Sequence, residues 1–272
     1  MDYTGLFTAL SLIAIMVGPF MSLVQMLPDL YEGYVSWKRI SQFLSSLSGN
    51  PSASSPRDET RALIRAANPD LVAFARDCSI GWTDEAILRG LSFNVERGSI
   101  MLVTGDTGLG KTTLLNSLVG EVRVLDGFVN VLTSRVAYCD QDPFFLPGGT
   151  VREQVLWGKE VDETLYAAVL RVCQLDGDVA QWADGDALFV STVEGAPLSG
   201  GQRKRLCLAR ALYHEAELLI LDDVFTGIDH NTAGRMRDAL FGQDGFLQTR
   251  LSNMAVVLAS SSGMFWLPCG DD

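Results

Sequence analysis

The chain offers little with which to hold a transition metal or build a disulfide framework. It has only two histidines, His214 and His230. Its five cysteines (Cys78, Cys139, Cys173, Cys207, Cys269) are dispersed, with no C-x-x-C pair among them. An odd, scattered set argues against a secreted disulfide scaffold and fits a reducing compartment. A zinc site is poorly served by so few imidazoles, and each cysteine reads as a small buried hydrophobe. Positive charge is also short: 21 basic residues against 33 acidic ones give a net −12. A chain-wide nucleic-acid coat needs the opposite balance, so no nucleic-acid partner is expected. A local phosphate pocket is still allowed, because net charge says nothing about one loop. Internal repeats and heptad runs are missing too.

Charge of either sign is absent between Asp2 and Asp29, in the run YTGLFTALSLIAIMVGPFMSLVQMLP. As a helix this run would measure about 39 Å, more than the roughly 30 Å of a bilayer's hydrocarbon core. A cleaved signal peptide should open on basic residues and keep a shorter apolar stretch; this one opens on Asp2 and runs long. A buried helix of a soluble protein stays the alternative, since Thr4, Thr8, Ser11, Ser22 and Gln25 dilute the run. Gly18-Pro19 should kink the helix, which a membrane bundle tolerates. Lys38 and Arg39 follow on the C-terminal side, so the positive-inside bias puts that side in the cytoplasm. We therefore expect one transmembrane helix with a cytoplasmic extension over residues 1–45. A Ser/Pro-rich linker over 46–69 is too polar to order itself, and a nucleotide-binding domain follows over 70–272. The total of 272 residues suits one domain with an appendage.

From about residue 70 short β-rich runs (Ser99–Thr104, Arg135–Cys139, Leu218–Leu221, Ala255–Ala259) alternate with helical stretches, which implies a mostly parallel sheet covered on both faces. One of these runs leads directly into Gly105-Asp-Thr-Gly-Leu-Gly-Lys-Thr112 and then into a helix ending near Gly120. That is G-x-x-x-x-G-K-[ST] in its strand–loop–helix context. Gly105, Gly108 and Gly110 let the backbone curl around Asp106 and Thr107 so that its N–H groups point inward as an anion site. Lys111 is expected on the β- and γ-phosphates, the Thr112 hydroxyl on Mg²⁺, and Thr113 on a phosphate. A carboxylate for the metal is supplied by Leu218-Leu-Ile-Leu-Asp222, four apolar strand residues ending in an acid.

Leu198-Ser-Gly-Gly-Gln202, followed by RKRLCLARAL, is similar to the signature of the ABC ATPases. With the phosphate loop and the acidic strand it makes residues 71–268 resemble an ABC nucleotide-binding domain. The fold this implies is an α/β P-loop NTPase with a β subdomain and a helical signature subdomain. Ser199, Gly200, Gly201 and Gln202 would then cradle ATP held by a partner domain, in a head-to-tail pair. Trp82 occupies the place of an adenine-stacking aromatic, with core packing as its alternative. Gln141 resembles the Q-loop glutamine that touches Mg²⁺, and Asp229 in Thr226-Gly-Ile-Asp matches the D-loop acid. Lys204 reads as part of a solvated helix face. The stretch PFFLPGGTVREQVLWG is close to subfamily C, the multidrug-resistance-associated type, and residues 7–44 resemble the last helix of such a protein's membrane domain. A soluble repair-type relative would need a long coiled coil that the interval from Lys111 to Leu198 cannot hold.

Two departures from the resembled pattern bear on catalysis. The general base after Asp222 is usually Glu; here it is Asp223, one methylene shorter. The position of the switch histidine is taken by Ser261, which has no imidazolium to offer. Placement of a water against a base is sensitive to such changes, so we expect Mg-ATP binding with slow or absent hydrolysis at this site. The alternatives are a non-catalytic, ATP-dependent dimerisation module and the product of a truncated gene. The end at LPCGDD, soon after the last core strand, leads us to expect a piece of a longer transporter, integral to a membrane with its nucleotide-binding domain in the cytoplasm. The transported substrate would be chosen by membrane helices beyond this sequence.

Overall fold

A computed structural model describes residues 3–47, 58–190 and 198–261. The serine-rich part of the expected linker, Cys269 and the LPCGDD terminus lie outside the described residues. The chain divides into two units, residues 1–51 and 52–272.

The first unit is a single helix, α1 (Tyr3–Leu47), continuous through Pro19 and Pro28. Leu10–Leu44 is long and apolar enough to cross a membrane, and the described side chains of α1 are exposed. Two of its diluting polar residues are satisfied locally: the Ser11 hydroxyl donates to the Phe7 carbonyl (2.9 Å) and that of Ser22 to the Gly18 carbonyl (3.1 Å). Back-bonding of this kind lets a serine sit in an apolar helix without an unmet donor.

The second unit follows the order α2 (Asp58–Ala67), β1 (Leu71–Gly81), β2 (Leu88–Glu96), β3 (Ile100–Thr104), α3 (Lys111–Val119), β4 (Arg123–Val131), β5 (Val136–Cys139), α4 (Val151–Leu156), α5 (Glu163–Val172), α6 (Asp176–Gln181), α7 (Gly200–Tyr213), β6 (Leu218–Asp222), α8 (His230–Phe241) and β7 (Ala255–Ser260). Helix α2 amends the expected linker: residues 58–67 are helical. Arg65 anchors the helix through the Leu132 carbonyl (3.5 Å) and the Glu217 carboxylate (3.3 Å).

Strands β3, β7, β6 and β5 lie side by side in that order, all parallel, while β2, β1 and β4 form an antiparallel sheet. Residues in β6 and β7 are buried throughout, but their side chains serve two cores by alternation. Leu219, Leu221, Val256 and Leu258 pack into the cluster that contains α4, α5 and α7. Leu218, Ile220, Ala255, Val257 and Ala259 face the other way, against α3 and β1. A strand covered on both faces has no position for a polar residue, so it reads as a continuous apolar run. Registers Thr104–Ser260, Asp222–Ala259 and Cys139–Leu221 bring the C-terminal ends of all four parallel strands level. In an open parallel sheet that rim is where ligands bind.

Candidate nucleotide-binding site

The loop between β3 and α3 turns on glycines in the left-handed region, Gly108 (φ 87°) and Gly110 (φ 89°). At Gly110 any side chain would also come within 3.2 Å of Ile87 Cγ2 and 3.3 Å of Leu88 Cγ, so the position needs glycine for space as well as for conformation. Gly110 caps α3 without a side-chain hydrogen bond, which leaves the first-turn N–H groups directed at the loop mouth. The Lys111 ammonium curls over the same mouth, donating to the carbonyls of Gly105 (2.7 Å) and Asp106 (2.9 Å). Cationic nitrogen and a helix N-terminus therefore converge where an anion would sit.

Around this loop several separate hydrogen bonds hold residues singled out from sequence. Trp82, half exposed, donates from its indole nitrogen to the Thr113 hydroxyl at 3.2 Å. It lies beside the phosphate loop with a ring free to stack, and not in the core. Thr112 lies close enough to Asp222 to pull its carboxyl pKa down. Asp222 closes β6 and is only 1% exposed. Burial pushes its carboxyl above the usual range, and the negative charges of Asp140 and Asp223 add to this, against the lowering effect of Thr112. Tyr138 donates to it at 3.5 Å, and its own phenol is pushed up by burial and by Asp222.

Asp223 follows in a left-handed conformation (φ 48°). Its N–H is held by the Ala259 carbonyl (3.1 Å). The Ser261 hydroxyl donates to its Oδ2 at 2.8 Å, with the Ser261 N–H at 3.5 Å from Oδ1. The two residues that depart from the resembled family pattern are thus bonded to each other, at the ends of adjacent strands. Gln141 is exposed, just past the end of β5.

Hard oxygen donors packed with unbalanced negative charge suit Mg²⁺. This metal takes one or two carboxylates and completes its shell with water and phosphate oxygens. Asp222 and Thr112 fit that description, with Gln141 at the rim. Among the described residues no three His, Cys, Asp or Glu side chains form a metal cluster.

Ser199, Gly200, Gly201 and Gln202 form a second group, at the start of α7. Ser199 caps the helix by accepting from the Gln202 N–H (3.2 Å), and Gln202 Oε1 returns the bond to the Ser199 N–H (2.8 Å), a reciprocal capping box. The remaining amide nitrogen of Gln202 donates to Asp178 Oδ1 (2.7 Å), while Arg205 takes Asp178 Oδ2 (2.7 Å). Gln202 is therefore engaged at both ends within its own domain, leaving Ser199 and the two glycine amides to face outward. Lys204, expected on a solvated face, reaches the Thr226 carbonyl at 2.8 Å and ties α7 to the turn before α8. Asp229 caps α8 through the Thr232 N–H (2.9 Å). Sequence reasoning missed Tyr138 and Asp140, although their position at the end of a parallel strand, beside the acidic one, was a usable signal.

The family described as "ABC transporter" matches residues 88–226, just over half of the chain. An "ABC-type transporter frbG" of Dothideomycetidae sp. is 40% identical over 223 residues, which are 82% of this chain and 14% of that protein. "ABC transporter C family member 13" of Arabidopsis thaliana is 35% identical over 84% of this chain and 16% of its own length. "ABC multidrug transporter B" of Aspergillus fumigatus is 32% identical over 96% of this chain and 19% of its own. The chain thus spans less than a fifth of the length of these relatives.

Proposed function

The chain belongs to the ABC transporter family and carries its ATP-binding domain, and from that premise we propose that the domain binds Mg-ATP at a site nearly inert toward hydrolysis. Its role is to pair head-to-tail with a second nucleotide-binding domain of a membrane transporter of the subfamily C type, in which it is the first of the two domains. Helix α1 is then the last membrane-spanning helix before that domain, which lies in the cytoplasm.

In this reading Trp82 stacks on adenine, Lys111 and the loop amides hold the β- and γ-phosphates, and Thr112, Gln141 and Asp222 hold Mg²⁺. The bound ion supplies charge neutralisation on the phosphate oxygens. The observation that carries the reading is the Asp223–Ser261 bond. A general base must accept a proton from water and lean on a polarising neighbour. Asp223 instead spends one oxygen on a serine hydroxyl at 2.8 Å, from a carboxylate one methylene short of the family's glutamate. Serine donates that single hydrogen bond and carries no charge with which to follow the γ-phosphate.

The test pairs binding with turnover on the purified full chain. Mg-ATP should quench tryptophan fluorescence saturably, an effect lost with Trp82→Phe, while phosphate release stays at background. The double variant Asp223→Glu, Ser261→His should raise single-turnover hydrolysis at least tenfold in the presence of a competent partner domain. Fast hydrolysis by the unmodified chain's own site, surviving loss of the partner's Walker lysine, would overturn the reading. So would a failure to bind nucleotide.

A further inference from the structure

Cys139 ends β5 and Cys207 lies in the middle of α7; both are about 2% exposed. Their sulfur atoms are 3.6 Å apart, with the Cys139 thiol donating to Cys207 Sγ. A further donor converges on the same sulfur, the Arg210 guanidinium at 3.4 Å. A sulfur that accepts from a thiol and a guanidinium is held in an environment that favours the thiolate, the nucleophilic form of cysteine. The direction of its acidity agrees: these donors, the Cys139 hydrogen bond foremost, lower the Cys207 pKa against the opposing effect of burial. A cavity of about 270 Å³ lies alongside, lined by Ala137 and Tyr138 next to Cys139 and by Arg210 and Ala211 next to Cys207. A small neutral oxidant can therefore come within one side chain of the sulfur.

We propose that Cys139 and Cys207 are an oxidation site, converted by hydrogen peroxide into an intramolecular disulfide between β5 and α7. The Cys207 thiolate attacks one peroxide oxygen; the O–O bond breaks, and the departing hydroxide takes up a proton to leave as water, giving a sulfenic acid at Cys207. The Cys139 thiol gives up its proton and its sulfur attacks Cys207 Sγ; the S–S bond forms, the S–O bond breaks and a second water leaves. Two thiols lose two electrons and two protons in all, and the peroxide becomes two waters. The sulfurs need to close by about 1.6 Å to reach a bond length of about 2.05 Å. The bond would covalently join the strand leading into Gln141 to the helix that opens at Ser199, and so tether the two groups of site residues.

The full chain in detergent, freed of reductant, is exposed to hydrogen peroxide and digested with trypsin without reduction. The expected species is Val136–Arg152 disulfide-linked to Leu206–Arg210, abolished by dithiothreitol, with matching loss of the two free peptides. With Cys139→Ser the expected product is a Cys207 sulfenic acid trapped by dimedone, whereas Cys207→Ser leaves Cys139 unlabelled. The proposal is overturned if peroxide oxidises methionines while both peptides stay reduced, or if Cys173 replaces either partner in the cross-link. Should a variant fail to fold, the peptide map of the unmodified chain decides by itself.

Discussion

Asp222 sits at the end of β6, 1% exposed, with the charges of Asp140 and Asp223 bearing on it. A desolvated carboxylate among like charges is costly, and the hydroxyls near it, of Thr112 and Tyr138, are neutral. The arrangement costs stability that, under the proposed reading, a bound cation would return. Asp222→Asn keeps an acceptor for those hydroxyls and removes the charge. We expect the nucleotide-free variant to melt higher by about 2–4 °C, equivalent to ~1 kcal/mol in a chain of this size. Its affinity for ATP should lose its dependence on Mg²⁺ and fall at least tenfold. Differential scanning fluorimetry and nucleotide titrations with and without chelator measure both. A variant that melts lower and still responds to Mg²⁺ would remove Asp222 from the metal site.

At the scale of elements, the strands of the parallel sheet were legible because their burial on both faces leaves uninterrupted apolar runs: Leu218–Leu221 and Ala255–Ala259 were read within one residue of the observed β6 and β7. The phosphate loop was legible for a different reason, since its glycines answer a local backbone demand at Gly108 and Gly110. Helix α2 was missed although its local signal is present: Ala, Leu and Arg favour a helix and DETRALIRAA is amphipathic. The segment follows a serine-rich stretch, however, and its anchor is Glu217, distant in sequence. Arg65, Arg97 and Arg135 all pair with that one carboxylate. Burial pushes the Glu217 pKa up, but the Thr133 hydrogen bond and the three guanidiniums outweigh it and hold the pKa below the usual carboxylate value. A depressed acid contributes stability that is present above the unfolded-state pKa, about 4.3, and lost as pH falls through the lower folded value. Arg65 and Arg135 are half or more exposed, so solvent screens much of the gain. We expect Glu217→Gln to cost ~1 kcal/mol at pH 7, with its melting curve converging on that of the unmodified chain as pH drops toward 3. A difference that persists at low pH would mean that packing, not charge, holds α2.

At the scale of the whole molecule, the described side chains of α1 are exposed, and large apolar ones among them include Phe7, Met16, Phe20 and Leu23. At about 25 cal/mol per Å², leaving such a helix in water is far costlier than placing it in lipid, so the chain should resist alkaline carbonate extraction from membranes; release into the supernatant would favour a helix buried in protein. Pairing in trans makes a sharper claim about the assembly. Lys111 belongs to this domain's own phosphate loop, whereas Ser199 and the glycines after it start a helix tied to Asp178 and the Thr226 turn. If that helix start completes a competent site on a partner domain, damage to the two places must have unequal effects on that partner's turnover. With a competent second nucleotide-binding domain, steady-state ATP hydrolysis should survive Lys111→Ala within about twofold, because the site lost is the inert one; the missing charge-assisted contacts, worth ~1.5–3 kcal/mol each, appear only as weaker binding of the first nucleotide. Ser199→Arg places a bulky cation at the mouth of the outward-facing amides and should abolish turnover. It also removes a helix cap worth ~1 kcal/mol, so its melting temperature must be read alongside: a small shift with full loss of turnover locates the effect at the interface. Equal loss from the two substitutions would mean that hydrolysis proceeds at this domain's own phosphate loop, and the Asp223–Ser261 pair would then have to be a working catalytic arrangement.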